Sequence, residues 1–174
     1  MSGSNPSRPG CAIYMLDRKQ EIPEVIKGIH ISNSITASFD NKNFYYADTY
    51  NKLIYKTSLY EKKPYIKNTN IFVDNSNVSG FPDGSTVDSN NTLWNAEWNG
   101  GQVAQYDKNG KIIIKIKTPM KKPTCVAFGG PNMNKLFITS AKDINSNEDD
   151  TSGKTICIQM NVKGQLSNRY ILNL

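Results

Sequence analysis

The chain has 174 residues, of which 37% are hydrophobic, and carries a formal charge of +6. That suffices for one ordinary domain with a sizeable core, and no stretch approaches the roughly 18 apolar residues that a membrane-spanning helix needs. A single histidine, His30, excludes a multi-histidine metal centre, and Cys11, Cys125 and Cys157 lack C-x-x-C spacing. These three thiols are expected to be buried or idle in a reducing compartment.

The first ten residues are rich in Ser, Pro and Gly and read as a loose lead-in. Residues 1–20 lack the basic start and apolar middle of a signal peptide, so a cytoplasmic location is expected. Residues 11–17 and 24–27 are predicted strands, joined by the polar turn Arg18-Lys19-Gln20. No helix-length amphipathic segment appears anywhere. The lysines, including Lys62, Lys63, Lys111, Lys115, Lys117, Lys121 and Lys122, are dispersed without aromatic interleaving. No recognition helix accompanies them, so the positive charge is assigned to solvated surfaces and no nucleic-acid partner is expected.

From Asn33 onward the chain repeats itself. The first unit runs from Asn33 through predicted strands 34–39, 43–48 and 52–56, the second from Asp83 through 84–87, 93–97 and 102–106. The third runs from Thr124 through 125–128, 136–140 and 155–159. Fourth strands are predicted at 71–74, 111–117 and 169–172. Phe44, Leu93 and Leu136 open the second strand of each unit, at separations of 49 and 43 residues. Four short strands per period of roughly 40–50 residues describe a β-propeller blade. The fold class predicted is therefore all-β, a partial propeller of four-stranded antiparallel blades, with a half blade at 11–30 and blades at about 31–80, 81–120 and 121–174.

Asp83 lies between Pro82, which fixes its own φ, and Gly84, which tolerates conformations closed to other residues. Read locally, it is either a turn-former or a carboxylate available as metal ligand or base. Asn33, between Ser32 and Ser34, reads locally as a turn residue. The repeat adds that Asn33, Asp83 and Thr124 occupy one place in three units. First strands line a propeller's channel, so the three should converge near one end of it. Strand alternation puts Trp94, Ala96 and Trp98 on one face, for burial between blades, and Asn95, Glu97 and Asn99 on the other. The acidic run at 147–150 lacks EF-hand spacing and reads as a solvated loop.

Several motifs, in this order and spacing, resemble the regucalcin/gluconolactonase family of six-bladed sugar-lactone lactonases. They are Ile31-Ser32-Asn33-Ser34-Ile35 before Phe44-Tyr45-Tyr46-Ala47-Asp48, and Phe81-Pro82-Asp83-Gly84 before Leu93-Trp94-Asn95-Ala96-Glu97-Trp98-Asn99-Gly100-Gly101. Pro123-Thr124-Cys125-Val126-Ala127-Phe128 and Leu136-Phe137-Ile138-Thr139-Ser140 complete the match. The resemblance implies that Asn33 and Asp83 are ligands of one divalent metal, Ca²⁺ first with Zn²⁺ or Mg²⁺ as alternatives, and that Asp83 is also the general base. It implies a small sugar lactone as substrate. The usual Pro-Asn-Gly is here Ser-Asn-Ser, which is expected to loosen the turn and leave the ligand. The resemblance also implies a third ligand, a Glu from the family's first blade, which is expected to lie outside this sequence. The sequence is expected to correspond to the last three and a half of six blades, either as one half of a split lactonase or, alternatively, as a non-catalytic binding or scaffold module. Both readings anticipate a complementary N-terminal half or self-association.

Overall fold

In a computed structural model of the chain, residues 8–16, 19–59, 67–142 and 151–166 are described. They form thirteen strands in four antiparallel sheets. Strands β1 (Cys11–Tyr14) and β2 (Glu24–Ile29) make a two-stranded sheet. The next comprises β3 (Ser32–Ala37), β4 (Asn43–Asp48), β5 (Leu53–Ser58) and β6 (Lys67–Asp74). A second four-stranded sheet contains β7 (Phe81–Val87), β8 (Leu93–Trp98), β9 (Gln102–Tyr106) and β10 (Ile112–Lys117). The last has β11 (Pro123–Gly129), β12 (Lys135–Ser140) and β13 (Thr155–Gln159). The expected strand at 169–172 and the acidic run at 147–150 lie outside the described residues, as do Arg18, Lys62, Lys63 and the first seven residues of the lead-in. Among the described residues no helix is long and apolar enough to cross a membrane.

Each four-stranded sheet is a meander whose order in space is its order in sequence, and the connections that lie wholly within the described residues are short turns. Aspartates shape these turns by accepting backbone N–H groups two and four residues on, the Asx-turn chemistry of a short carboxylate. Asp107 accepts from Asn109 at 2.8 Å and Lys111 at 2.9 Å, and Asp88 from Asn90 at 2.9 Å and Thr92 at 3.0 Å. Asn41 and Asn91 take the left-handed backbone there, at φ 55° and 61°, which a short polar side chain tolerates better than a branched one.

The sheets stack through three apolar layers, the first of which joins Ile13 and Ile29 to Tyr46. Tyr45, Ala47, Ile54 and Val73 meet Val87, Leu93, Ala104 and Tyr106. On the opposite face of β7–β10, Trp94, Ala96 and Val103 meet Val126, Leu136 and Ile138. Because β8 is covered on both faces, its residues are buried without alternation, and each large apolar side chain contributes about 1.5–3 kcal/mol. The assignment of its two faces holds, with Trp94 and Ala96 packed against the same neighbouring sheet, and only the coverage differs. Trp94 enters the core, whereas Trp98 is only half-buried, edge-on to Phe81 at 5.8 Å with Lys122 Nζ 5.5 Å from its ring. Asn95 and Glu97 are fully buried.

β3 packs on β7 and β7 on β11, so the first strands are the innermost. A segment around residues 160–165 crosses their far ends. Gly164 N–H donates to Met133 O at 2.8 Å, Ser89 N–H to Lys163 O at 2.8 Å, and Gln165 Nε2 to Ala37 O at 3.5 Å. Three sheets are thereby tied together at that end. Only glycine fits at 164, since a Cβ there would collide with the Phe128 side chain.

Candidate functional site

The ladder registers fix which residues are equivalent. Ser32 pairs with Asp48, Pro82 with Glu97 and Pro123 with Ser140. Asn33, Asp83 and Thr124 each come directly after one of these pairs, at the opposite end of the first strands from the crossing segment. Each first strand has a register shift beginning there, between Asn33 and Thr36, Pro82 and Ser85, and Pro123 and Cys125. Such bulges interrupt pairing and re-aim side chains.

Asn33 and Asp83 are brought together. The Asn33 side chain lies close enough to the Asp83 carboxylate, on the neighbouring sheet, to favour its ionised form, and Asn33 Oδ1 accepts the Ser34 N–H at 3.2 Å. Burial pushes the Asp83 carboxyl above its ordinary value, which Asn33 and the Gly84 N–H only partly offset. Thr124 holds the equivalent place, but its Oγ1 pairs with Thr139 Oγ1 at 2.8 Å within its own sheet.

Gly84 is required by a close approach, since a Cβ there would stand 2.5 Å from Cys125 Sγ and 2.9 Å from Cys125 Cα. Of the two alternatives expected for the thiols, burial does not hold, because all three cysteines are exposed. Cys125 is held protonated beyond its ordinary range by desolvation and the nearby charge of Asp83, against a weak bond to Val126 O.

Ser34, the residue expected to loosen the turn, is fastened instead. It is buried, has φ 57°, and its Oγ donates to the Asp83 carbonyl and lies 2.9 Å from Ser85 Oγ. Asn95 Nδ2 reaches the same carbonyl at 3.0 Å and Ser34 Oγ at 3.1 Å. The motif reading gave Ser34 only a turn role, placed Asn95 only on the polar face of its strand, and gave Ser85 no role. The available signal was an Asn inside the apolar run Leu93-Trp94-Asn95-Ala96.

Two further carboxylates sit beside this end. Asp48 accepts from His30 Nδ1 at 2.8 Å, Asn51 Nδ2 at 2.8 Å, and the His30 and Ile31 N–H groups at 3.2 and 3.1 Å. Burial raises its carboxyl, but these bonds outweigh burial and hold it below the usual value. Glu97 accepts from Gln102 Nε2 at 2.5 Å and the Tyr106 hydroxyl at 3.2 Å. Both are consumed by internal bonds.

The donors suit a hard cation as far as they go, since a carboxylate and an amide oxygen are what Ca²⁺ or Mg²⁺ takes. The one histidine is engaged by Asp48, and among the described residues no three His, Cys, Asp or Glu form a metal cluster. The pair offers two oxygen donors, one carboxylate and one amide.

Comparison with known proteins places this geometry. The family described as SMP-30/gluconolactonase/LRE-like region matches residues 1–142. A pentonolactonase, XacC, of Haloferax volcanii is 34% identical over 140 residues, 80% of this chain and 48% of that protein. A 6-deoxy-6-sulfogluconolactonase of Pseudomonas putida is 29% identical over 161 residues, 90% of this chain and 55% of that protein. The crystal structure of a calcium-binding protein, regucalcin, from Agrobacterium tumefaciens superposes with a TM-score of 0.89 at 29% identity, covering 98% of this chain and 59% of that one. The chain spans about half the length of the curated relatives it matches. The sheets described above are blades of a regucalcin-type β-propeller. The chain belongs to the SMP-30/gluconolactonase/LRE-like family.

Proposed function

We propose that this chain takes part in the metal-dependent hydrolysis of a sugar lactone, with Asn33 and Asp83 as metal ligands and Asp83 as general base. The observation that carries this reading is that Asn33 and Asp83, 50 apart in sequence, take the same place at the register shifts of neighbouring innermost strands. The lactonase names of two relatives supply the substrate class. The calcium-binding regucalcin makes Ca²⁺ the first candidate, ahead of Zn²⁺ and Mg²⁺.

A bound divalent cation would polarise the lactone carbonyl and acidify a water. Asn33 Oδ1 keeps one lone pair free beside the Ser34 N–H and offers it as a neutral ligand. Asp83, beside Asn33 and the Gly84 N–H, would accept the proton of the attacking water within hydrogen-bond reach. Addition of that water opens the ring to the hydroxy acid. Raising a carboxyl toward neutrality suits a base, because proton transfer is most effective when its affinity approaches the working pH.

Two protein ligands are few for a hard cation. We therefore propose that further oxygen donors come from blades beyond those described, carried by more of the same protein, by a complementary half or by a second copy, in a cytoplasmic setting. The non-catalytic alternative rests on the face of β11–β13 where Ala127, Phe137 and Cys157 stand side by side and exposed.

The test is hydrolysis of D-glucono-δ-lactone by the chain, alone and with the N-terminal half of a relative, in Ca²⁺, Mg²⁺, Zn²⁺ or chelator. Turnover that requires metal and disappears with chelator is expected. Turnover equal with and without metal, or none in any combination, refutes the lactonase reading and leaves the binding module.

A further inference from the structure

We infer that Ser34 and Asn95 are positioning residues that lock the backbone at Asp83 and thereby aim its carboxylate at Asn33. The inference deepens the proposed metal-and-base role of Asp83 and rests on that reading for its functional consequence.

The side chains converge on one atom. The Asp83 carbonyl sits in the unpaired stretch of β7, between the Pro82–Glu97 and Ser85–Asn95 pairs. A bulge gives up ladder hydrogen bonds, so its carbonyls need other partners. Here the donors are Ser34 Oγ from the neighbouring blade and Asn95 Nδ2, at 3.0 Å, from the next strand of the same blade. Ser85 Oγ closes the cluster, 2.9 Å from both Ser34 Oγ and Asn95 Nδ2. Ser34 and Asn95 are 2% and 0% exposed, so no bulk water competes for these bonds.

Two features are hard to account for by stability alone. Ser34 adopts φ 57°, a left-handed conformation that an L side chain resists and that persists only where its surroundings enforce it. Asn95 Oδ1 is buried without a hydrogen-bond partner, an arrangement that costs folding free energy and that an apolar residue of similar size would avoid. Both residues accept a local penalty, and both direct a donor at the Asp83 carbonyl. Ser34 links the two halves of the site, because its N–H holds Asn33 Oδ1 while its hydroxyl holds the Asp83 backbone. The left-handed turn at Ser34 is what lets one residue face both partners.

The consequence concerns rigidity. A carboxylate and an amide on different blades keep a fixed separation only if both strands are pinned, and small displacements of ligands or base are costly to function. Removing a group that orients a metal ligand typically lowers metal affinity about 10- to 100-fold.

The experiment compares the full chain with its Ser34→Ala, Ser34→Gly and Asn95→Leu variants by three readouts. They are the Asn33 side-chain amide resonances of the metal-free protein, calorimetric Ca²⁺ affinity, and the thermal midpoint. In the parent chain one Asn33 amide proton is expected to be downfield and slow to exchange, with Asp83 accepting it. Ser34→Ala and Asn95→Leu are expected to return that resonance toward the free-amide position and to weaken Ca²⁺ binding about 10-fold. Ser34→Gly relieves the left-handed strain and keeps the fold, so it is expected to unfold no lower than Ser34→Ala while showing the same loosened amide. An unchanged Asn33 resonance in Ser34→Gly and Asn95→Leu, with only the thermal midpoint altered, overturns the inference. A parent chain that shows the bonded amide but binds no Ca²⁺ defeats the metal role, and the amide readout then decides the positioning role alone.

Discussion

Asp83→Asn is expected to abolish lactone hydrolysis while making the metal-free chain more stable at neutral pH. The two effects have one origin. Burial raises the Asp83 carboxyl, with Asn33 and Gly84 compensating only in part. The folded chain therefore binds a proton at Asp83 that the unfolded chain has released, over the window between the unfolded value, about 3.9, and the higher folded one. Stability falls as pH rises through that window, and above it the ionised carboxylate is a standing cost to folding. Asparagine keeps the shape of the side chain but carries no charge, so the cost disappears. It also cannot take a proton from water, and the loss of a general base lowers turnover by about 10²–10⁴-fold. Thermal melts at pH 4 and pH 7 check the first effect, and the stabilisation should be larger at pH 7. Lactone assays check the second. Retained activity, or a melting point lower than the parent's at pH 7, would remove Asp83 from its assigned role.

The second large effect is structural. Asp88→Ala should destabilise the chain by about 3 kcal/mol or more, because one fully buried carboxylate serves several donors. It accepts the Asn90 and Thr92 N–H groups, the Thr92 hydroxyl at 2.5 Å, the Trp94 indole N–H at 2.9 Å and Gln105 Nε2 at 3.4 Å. Deleting it strands buried donors at about 1–3 kcal/mol apiece and opens the turn between β7 and β8. Asp88→Asn should restore only part of the loss, since its NH₂ would face the Trp94 N–H. For a chain of this size the shift in thermal midpoint is about 6–12 °C, readable in the fluorescence of Trp94 itself. A shift under about 2 °C would mean that the turn is held by the crossing segment at Lys163 and Gly164.

Much of the architecture was legible because its signals are local and repeated. Period-2 apolar runs of about six residues, separated by Asp, Asn and Gly turns, recurred at the spacing of a propeller blade, and the observed ladders match them. The placement of Asn33 beside Asp83 was legible from their equal positions in two units, which the registers of β3 and β7 reproduce. Other features depend on neighbours that a strand pattern does not reveal. Alternation assigns faces to β8 but not coverage, and both faces proved to be interfaces, which buried Asn95 and Glu97 and left Trp98 half-open. Cysteine type alone suggested burial, yet Cys125 keeps part of its surface open although its Sγ side lies close against Gly84. Ser34 read as a loosened turn because its backbone cost is local, whereas its compensating bonds come from residues 49, 51 and 61 positions away. The crossing segment gave no period at all, and its bonds run to three different blades.

Calorimetric titration of Ca²⁺ into the metal-free chain, beside Asn33→Ala and Asp83→Asn, tests the metal role most directly. With two oxygen ligands on this chain, saturable one-site binding with a dissociation constant of about 1 mM is expected. Each substitution should weaken it severalfold or more. Identical binding in all three proteins, or no binding in any, would contradict a metal centre at Asn33 and Asp83.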